Sequence, residues 1–447
     1  MNSQTLGVLV GLCCLIFAVA SRAEPTATCR AHGQAALVAW TQANYQGAVK
    51  DFAPDTAAQV TPEKLKAVWT QLQGASGAFR KLGDLQSRAI AGRPLLAANM
   101  DFADHSLVAV IDCDAQDRIT TFRIVPASAL SAATTPAPTS GSSIGIESAV
   151  QITSPLGPLP GTLLVPKGKG PFPAVLLVVG SGPLDRDETI GPNKPFRDLA
   201  EGLAAAGIAS LRYDKRGHVY GVQTAKKDVT VDDSVTDDAV TALQLLSRQP
   251  SIDSRHVFVL GHSLGAAMAP RIGQHDPQLA GVILMAAPAK LNLDTVIRQM
   301  RYLAPLQGAT PEQMDKLLAP VVQARDVVAH ADPAHPPAGE VLNGSLSFWV
   351  SLRDYDPIAT ARELSKPMLL LQGGDDYQVL PQQDFVQWHD AFARDSRVRL
   401  IQYPGLSHLF MPGGDPPSPA DYMKPGHVDE QVIRDMVDWI RAQAGRS

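Results

Sequence analysis

Gly261-His262-Ser263-Leu264-Gly265 is the segment of the chain best suited to covalent chemistry. It follows the apolar run Val257–Leu260 and precedes the small residues Ala266-Ala267-Met268-Ala269, so strand, sharp turn and helix are expected in that order. Glycines on either side permit the strained turn that lifts a serine hydroxyl out of the backbone at the top of a sheet. A serine hydroxyl is a weak nucleophile until a base accepts its proton, so a histidine must follow. His408, in Pro404-Gly-Leu-Ser-His408, stands directly after the last expected strand, where a loop returns it to the carboxyl edge of the sheet. His427 lies in a late polar segment and His389 in a helical one, while His275, His330 and His335 precede the strand expected to carry the acid. That acid belongs in the loop after Met368–Leu371, which runs into Gln372-Gly-Gly-Asp-Asp-Tyr-Gln-Val379. Asp375 and Asp376 are adjacent, so only one can face the histidine, and both remain candidates on this ground.

A developing oxyanion needs two backbone N–H donors. One comes from the residue after the nucleophile, Leu264, and the other from the loop Val179-Gly-Ser-Gly-Pro183, where Ser181 is the expected donor. The plainer alternative for that loop is a Gly-Pro turn. Two charged triplets, Asp185-Arg186-Asp187 and Asp214-Lys215-Arg216, are expected to pair with one another or with water and so to serve structure. No metal-ligating spacing includes a cysteine, and no metal or organic cofactor is expected.

Apolar runs of strand length at Ala174–Val179, Ala209–Tyr213, Val257–Leu260, Val282–Met285, Met368–Leu371 and Val398–Gln402 alternate with helical segments at Pro195–Ala206, Ser234–Leu246, Leu264–Ile272 and Val428–Ala444. Continuous apolar strands separated by helices predict an α/β architecture, a doubly wound and mostly parallel sheet covered on both faces. A hairpin, Ala149–Thr153 with Gly161–Val165, leads into it. About eighty residues, 288–365, separate two consecutive strands where roughly two to six suffice, which marks an inserted helical cap. Its apolar Met300, Tyr302, Leu303, Leu317, Leu318, Phe348, Trp349 and Val350 either roof a pocket or form the cap's own core.

Ahead of residue 127 the pattern changes. Helical spacing at Ala35–Phe52 and Pro62–Leu72 is followed by extended runs at Arg93–Phe102, Ser106–Asp112 and Ile119–Val125, a small α+β domain over 24–126. The Ser/Thr/Pro/Ala tract at 127–145 reads as a linker, leaving 146–447 for the α/β domain. Residues 1–23 read as a signal peptide: Leu6–Ala20 is almost wholly apolar and small-x-small cleavage sites follow. Fifteen apolar residues are too few for a span of about 20, so export to the periplasm or medium is expected without stable membrane insertion. Cleavage would remove Cys13 and Cys14 and leave Cys29 and Cys113, the arithmetic of one disulfide, against the alternative of two buried thiols. With 447 residues, 45% hydrophobic, and a formal net charge of −5, no polyanionic partner such as nucleic acid is called for.

Gly180-Ser-Gly-Pro-Leu-Asp-Arg-Asp187, Arg212-Tyr-Asp-Lys-Arg-Gly217, Gly261-His-Ser-Leu-Gly265, Gln372-Gly-Gly-Asp-Asp-Tyr-Gln-Val379 and Gly405-Leu-Ser-His408 together resemble a bacterial α/β-hydrolase serine esterase family. The resemblance spans roughly 144–447 and selects the second aspartate of the turn, Asp376, as the acid. Members similar to this chain carry an exported, cone-shaped α+β domain of undefined function in front, which residues 24–126 resemble. The resemblance implies a serine hydrolase, a carboxylesterase with the triad Ser263, Asp376 and His408, acting on a small-molecule ester through an acyl-enzyme. The same triad also serves peptidases, amidases and thioesterases. A reading of another class, a non-catalytic exported binding protein, calls for a lost nucleophile, base or oxyanion loop, and none is missing.

Overall fold

The computed structural model describes residues 24–90, 93–103, 106–126, 144–221, 229–306, 308–342 and 344–445. The expected leader, 1–23, and residues 127–143 of the expected linker lie outside the described residues. Backbone contacts divide the chain into two compact units, Met1–Ala137 and Pro138–Ser447.

In the first unit, the helix Ala27–Thr41 is capped by Thr26, whose side chain accepts from the Cys29 N–H. Helical spacing suggested one helix over 35–52. The structure begins it earlier and breaks it after Thr41, where Ala43 takes a positive φ and Asn44 caps a new turn, Tyr45–Ala48. Helices Pro54–Gln59 and Pro62–Ser76 follow, each with proline at its start. Strands β1 (Phe79–Leu82), β2 (Gln86–Ile90), β3 (Arg93–Phe102), β4 (Ser106–Cys113) and β5 (Ile119–Pro126) form an antiparallel sheet. β1 and β2 pair in succession along one edge of β3, and β4 takes the other. Leu37, Trp40, Leu96, Met100, Ile111 and Ile119 are fully buried between helices and sheet. The Trp40 indole N–H donates to the Leu65 carbonyl at 2.9 Å, satisfying its one polar atom. A Cys29–Cys113 disulfide joins the first helix to the end of β4.

The second unit is built on eight strands: β6 (Gly145–Ile152), β7 (Leu159–Pro166), β8 (Phe172–Val178), β9 (Ala209–Tyr213), β10 (Ile252–His262), β11 (Gly281–Met285), and, beyond the cap and its small ladder of β12 (Glu340–Val341) and β13 (Gly344–Ser345), β14 (Met368–Gly373) and β15 (Val398–Tyr403). Their spatial order is β15-β14-β11-β10-β8-β9-β7-β6, and β7 alone runs against the rest. β10 shows why its apolar run is continuous. Val257 and Val259 point into a core with Leu243 and Met268, whereas Phe258 and Leu260 point into a second core with Phe196 and Trp439. Alternation of period two combined with burial on both faces erases any polar stripe. Helices Pro195–Ala205, Asp237–Ser247, Leu264–Gln274 and Glu430–Ala444 cover those faces. Between β11 and β14 the chain leaves the sheet as a cap of four helices, Leu293–Leu306, Pro311–His330, Leu346–Arg353 and Pro357–Leu364. Loops that follow the carboxyl ends of β8, β10, β14 and β15 meet at one edge, where open α/β sheets place their ligand sites.

Candidate active site

Ser263 occupies the turn between β10 and the helix Leu264–Gln274 with φ 55° and ψ −116°, a strained conformation for a residue with a side chain. The turn is held by its backbone: the Ser263 N–H donates to the Met285 carbonyl at 2.9 Å, and the Ser263 carbonyl accepts from Ala267 N–H at 3.0 Å. Both flanking glycines are required by close approach. A Cβ at 261 would overlap the Gly265 carbonyl, and one at 265 would overlap the Val178 carbonyl. Leu264 is the first residue of the helix, so its N–H is among those left free at a helix N-terminus.

His408 and Asp376 meet in the loops after β15 and β14. The His408 Nδ1 donates to Asp376 Oδ2 at 2.7 Å, with both side chains buried. Asp376 is fixed from every side: Oδ1 accepts from the Gln378 and Val379 N–H groups at 2.8 and 3.0 Å, and Oδ2 also accepts from Gln372 Nε2 at 3.1 Å. Asp375 instead packs against Gly413 and is only half-buried. Of the other histidines, His389 lies in the helix Val386–Phe392, and His427 is largely exposed beside Asp198.

The loop after β8 lies over Ser263: a Cβ on Gly180 would stand 3.2 Å from the Ser263 Cβ. Two charged residues that sequence reasoning did not single out, or assigned to structure, hold this loop. The Gly180 N–H donates to Glu188 Oε1 at 2.8 Å, and Lys215 Nζ donates to the Gly180 carbonyl at 2.8 Å. Glu188 Oε1 also accepts from His262 Nδ1 at 2.9 Å, while His262 Nε2 donates to the His408 carbonyl at 2.9 Å. Both nitrogens of the His262 ring face acceptors, an arrangement that favours the doubly protonated, cationic ring. Burial opposes that charge, but the Glu188 carboxylate and the two hydrogen bonds outweigh it and raise the pKa above the usual histidine value. Residue 262, the first of the two unspecified positions of the Gly-x-Ser-x-Gly pentapeptide, therefore ties the loop after β8 to the loop that carries His408.

The two charged triplets form ion pairs. Arg186 holds Asp214 through two bonds of 2.9 and 2.7 Å, Asp187 accepts from Arg212 at 2.8 Å, and Arg216 grips Asp238 at 3.0 and 2.7 Å. Asp185 accepts from the Thr189 N–H and hydroxyl, closing the turn that presents Glu188 at φ 54°. Lys215, like Asp185, makes no ion pair among the described residues: it is buried, with its ammonium on a carbonyl.

A cavity of about 300 Å³ opens between these loops and the cap, lined by Gly180, Ser181, Ser263 and His408 on one side. Its apolar wall comes from Pro288, Leu291, Val296, Leu342, Trp349 and Val379. Of the eight apolar cap positions noted from sequence, only Trp349 lines it. Leu318 and Val350 are buried in the cap's contribution to the core, and Leu317 is exposed.

An eight-stranded, mostly parallel sheet with one reversed strand, and a serine at the strained turn between its central strand and the following helix, define an α/β-hydrolase. A family model described as serine aminopeptidase, S33, matches residues 194–415. Esterase EstD of Thermotoga maritima is 31% identical over 400 residues, covering 90% of this chain and 92% of that protein. Esterase FrsA of Klebsiella pneumoniae is 31% identical over 173 residues, 38% of this chain and 37% of that one. Among solved structures, a Pyrococcus furiosus esterase superposes with a TM-score of 0.45 at 18% identity, over 69% of this chain and 97% of its own. The chain belongs to the α/β-hydrolase esterase family that includes EstD, and it is an enzyme of the carboxylesterase class.

Proposed function

We propose that the chain hydrolyses carboxylic esters of short to medium acyl chain through an acyl-enzyme on Ser263. His408 takes the Ser263 hydroxyl proton as the oxygen attacks the ester carbonyl, and the Ser181 and Leu264 N–H groups hold the oxyanion. The proton passes from His408 to the departing alkoxide. Water, deprotonated by His408 in turn, then releases the acid and restores the serine. Asp376 orients His408 and stabilises its cation.

The observation that carries this reading is the 2.7 Å bond from His408 Nδ1 to Asp376, made behind a cavity whose wall His408 shares with Ser263. The small volume and apolar wall favour short acyl groups. Among the described residues Glu188 is the single acidic residue of the lining; its Oε1 is taken up by Gly180 and His262 and its Oε2, without a hydrogen-bond partner, is buried away from the surface, which favours an ester over a substrate recognised by its free amine. Export belongs to the same proposal, since a Cys29–Cys113 bridge persists in an oxidising compartment.

Turnover of a p-nitrophenyl ester series by the mature protein and by Ser263→Ala, with fluorophosphonate labelling of both, tests it. The parent should hydrolyse the short esters and label. The variant should lose labelling and fall by up to ~10⁶ in turnover. A folded parent that neither labels nor hydrolyses, or an alanine variant that keeps its rate, would reject the mechanism.

A further inference from the structure

Gly180 contributes its carbonyl to the same peptide group that carries the Ser181 N–H. A trans peptide is planar and points its C=O and N–H in opposite directions, so whatever fixes the oxygen fixes the direction of the hydrogen. The Lys215 ammonium fixes it here, at 2.8 Å. On the preceding peptide, Glu188 fixes the Gly180 N–H at 2.8 Å. The loop over Ser263 is thus held on both sides of one residue.

A buried ammonium is costly unless paired, and natural proteins usually give it a carboxylate. The neighbours of Lys215 in sequence have theirs: Asp214 is taken by Arg186, and Arg216 by Asp238. The Lys215 ammonium instead donates one of its three N–H groups to a carbonyl, with Glu188 and Asp238 acting only as more distant charges. A cation on a peptide oxygen polarises the whole group and makes its N–H a stronger donor. That gain matters most when negative charge forms opposite the N–H, as it does in the transition state of acyl transfer.

We propose that Lys215 is a positioning residue of the oxyanion hole, its ammonium aligning and polarising the Gly180–Ser181 peptide through the Gly180 carbonyl. The inference rests on the ester-hydrolase reading above and assigns to that reaction a residue outside the triad.

A pH signature follows. The charged groups around the ammonium are Glu188 from the loop after β8, itself facing His262 of β10, and Asp238 from the helix Asp237–Ser247, itself held by Arg216. Burial pushes the Lys215 pKa down to about 8, and the two carboxylates oppose the fall. The ammonium is present below that value and lost above it, so kcat should decline as pH rises through it.

The test measures kcat and KM for a short p-nitrophenyl ester with the parent, Lys215→Met and Ser263→Ala, from about pH 6 to pH 10, with circular dichroism of each. Lys215→Met should lower kcat about 10- to 100-fold, less than the ~10²–10³ of deleting a donor outright, with KM little changed. The parent should show the alkaline decline and the variant a flat profile over the same range. A folded variant with parental kcat, or one that keeps the parental decline, overturns the proposal. Should Lys215→Met fail to fold, Lys215→Arg, which keeps its charge across the whole range, decides: the parental decline persisting in that variant overturns the proposal and a flat profile supports it. Turnover surviving in Ser263→Ala would instead reject the underlying mechanism, an outcome distinct from any result at Lys215.

Discussion

Two aspartates one residue apart have different surroundings. Asp376 accepts from two backbone N–H groups, from Gln372 and from His408, whereas Asp375 lies against Gly413. Asp376→Asn keeps the shape but removes the charge that favours the needed His408 tautomer, so kcat should fall by about 10³–10⁴. Asp375→Asn should stay within a few-fold of the parent. Steady-state kinetics of the two variants check this, and equal losses would count against the assignment. Ser263 and His408 were legible as candidates because a strand, a Gly-x-Ser-x-Gly turn and a post-strand histidine are local signals. Asp375 and Asp376 could not be separated by residue type, and the family resemblance made that choice. Glu188, His262 and Lys215 left no such trace. Their significance lies in bonds between positions far apart in the chain, such as His262 to His408, and no spacing encodes those.

At the scale of elements, the cap is anchored to the acid loop through Asp384. Its Oδ1 accepts from Ala289 N–H at the cap's base and its Oδ2 from Leu380 N–H, both at 3.0 Å, while Arg298 of the cap approaches at 3.4 Å and also reaches the Gln378 carbonyl. Asp384→Ala leaves two backbone donors and a guanidinium without this partner, at a cost of about 2–3 kcal/mol. The loosened cap should raise KM several-fold more than it lowers kcat. Urea unfolding and kinetics on one short ester measure both, and a variant with parental KM would refute the anchoring role. Strand positions in the second unit were legible because burial on both faces makes continuous apolar runs. β1 and β2 were not, being short edge strands of mixed polarity. The cap's existence followed from its length alone. Its internal arrangement did not, because apolar residues of an insertion serve its own packing first, as Leu318 and Val350 do.

On the scale of the whole molecule, backbone contacts divide the chain into two units. The Cys29–Cys113 bridge lies in the first, closing a loop of 84 residues. By the chain-entropy account such a loop is worth about 4.5 kcal/mol. Every residue lining the cavity lies between Gly180 and His408, in the second. Reductant should therefore lower the unfolding midpoint of the first unit while hydrolysis of a small ester continues. Differential scanning calorimetry beside an activity assay, with and without dithiothreitol, tests this, and parallel loss of activity would contradict it. The order of the site along the chain has a consequence for biosynthesis. A ribosome delivers Gly180 and Lys215 first, Ser263 next, Asp376 much later and His408 close to the end, and β14 and β15 must join the sheet before the last two have anywhere to sit. Under the proposed mechanism, a nascent chain that stops short of the histidine carries a serine with no base. On that mechanism hydrolysis cannot begin until β14 and β15 have joined the sheet, long after the nucleophile itself has been made.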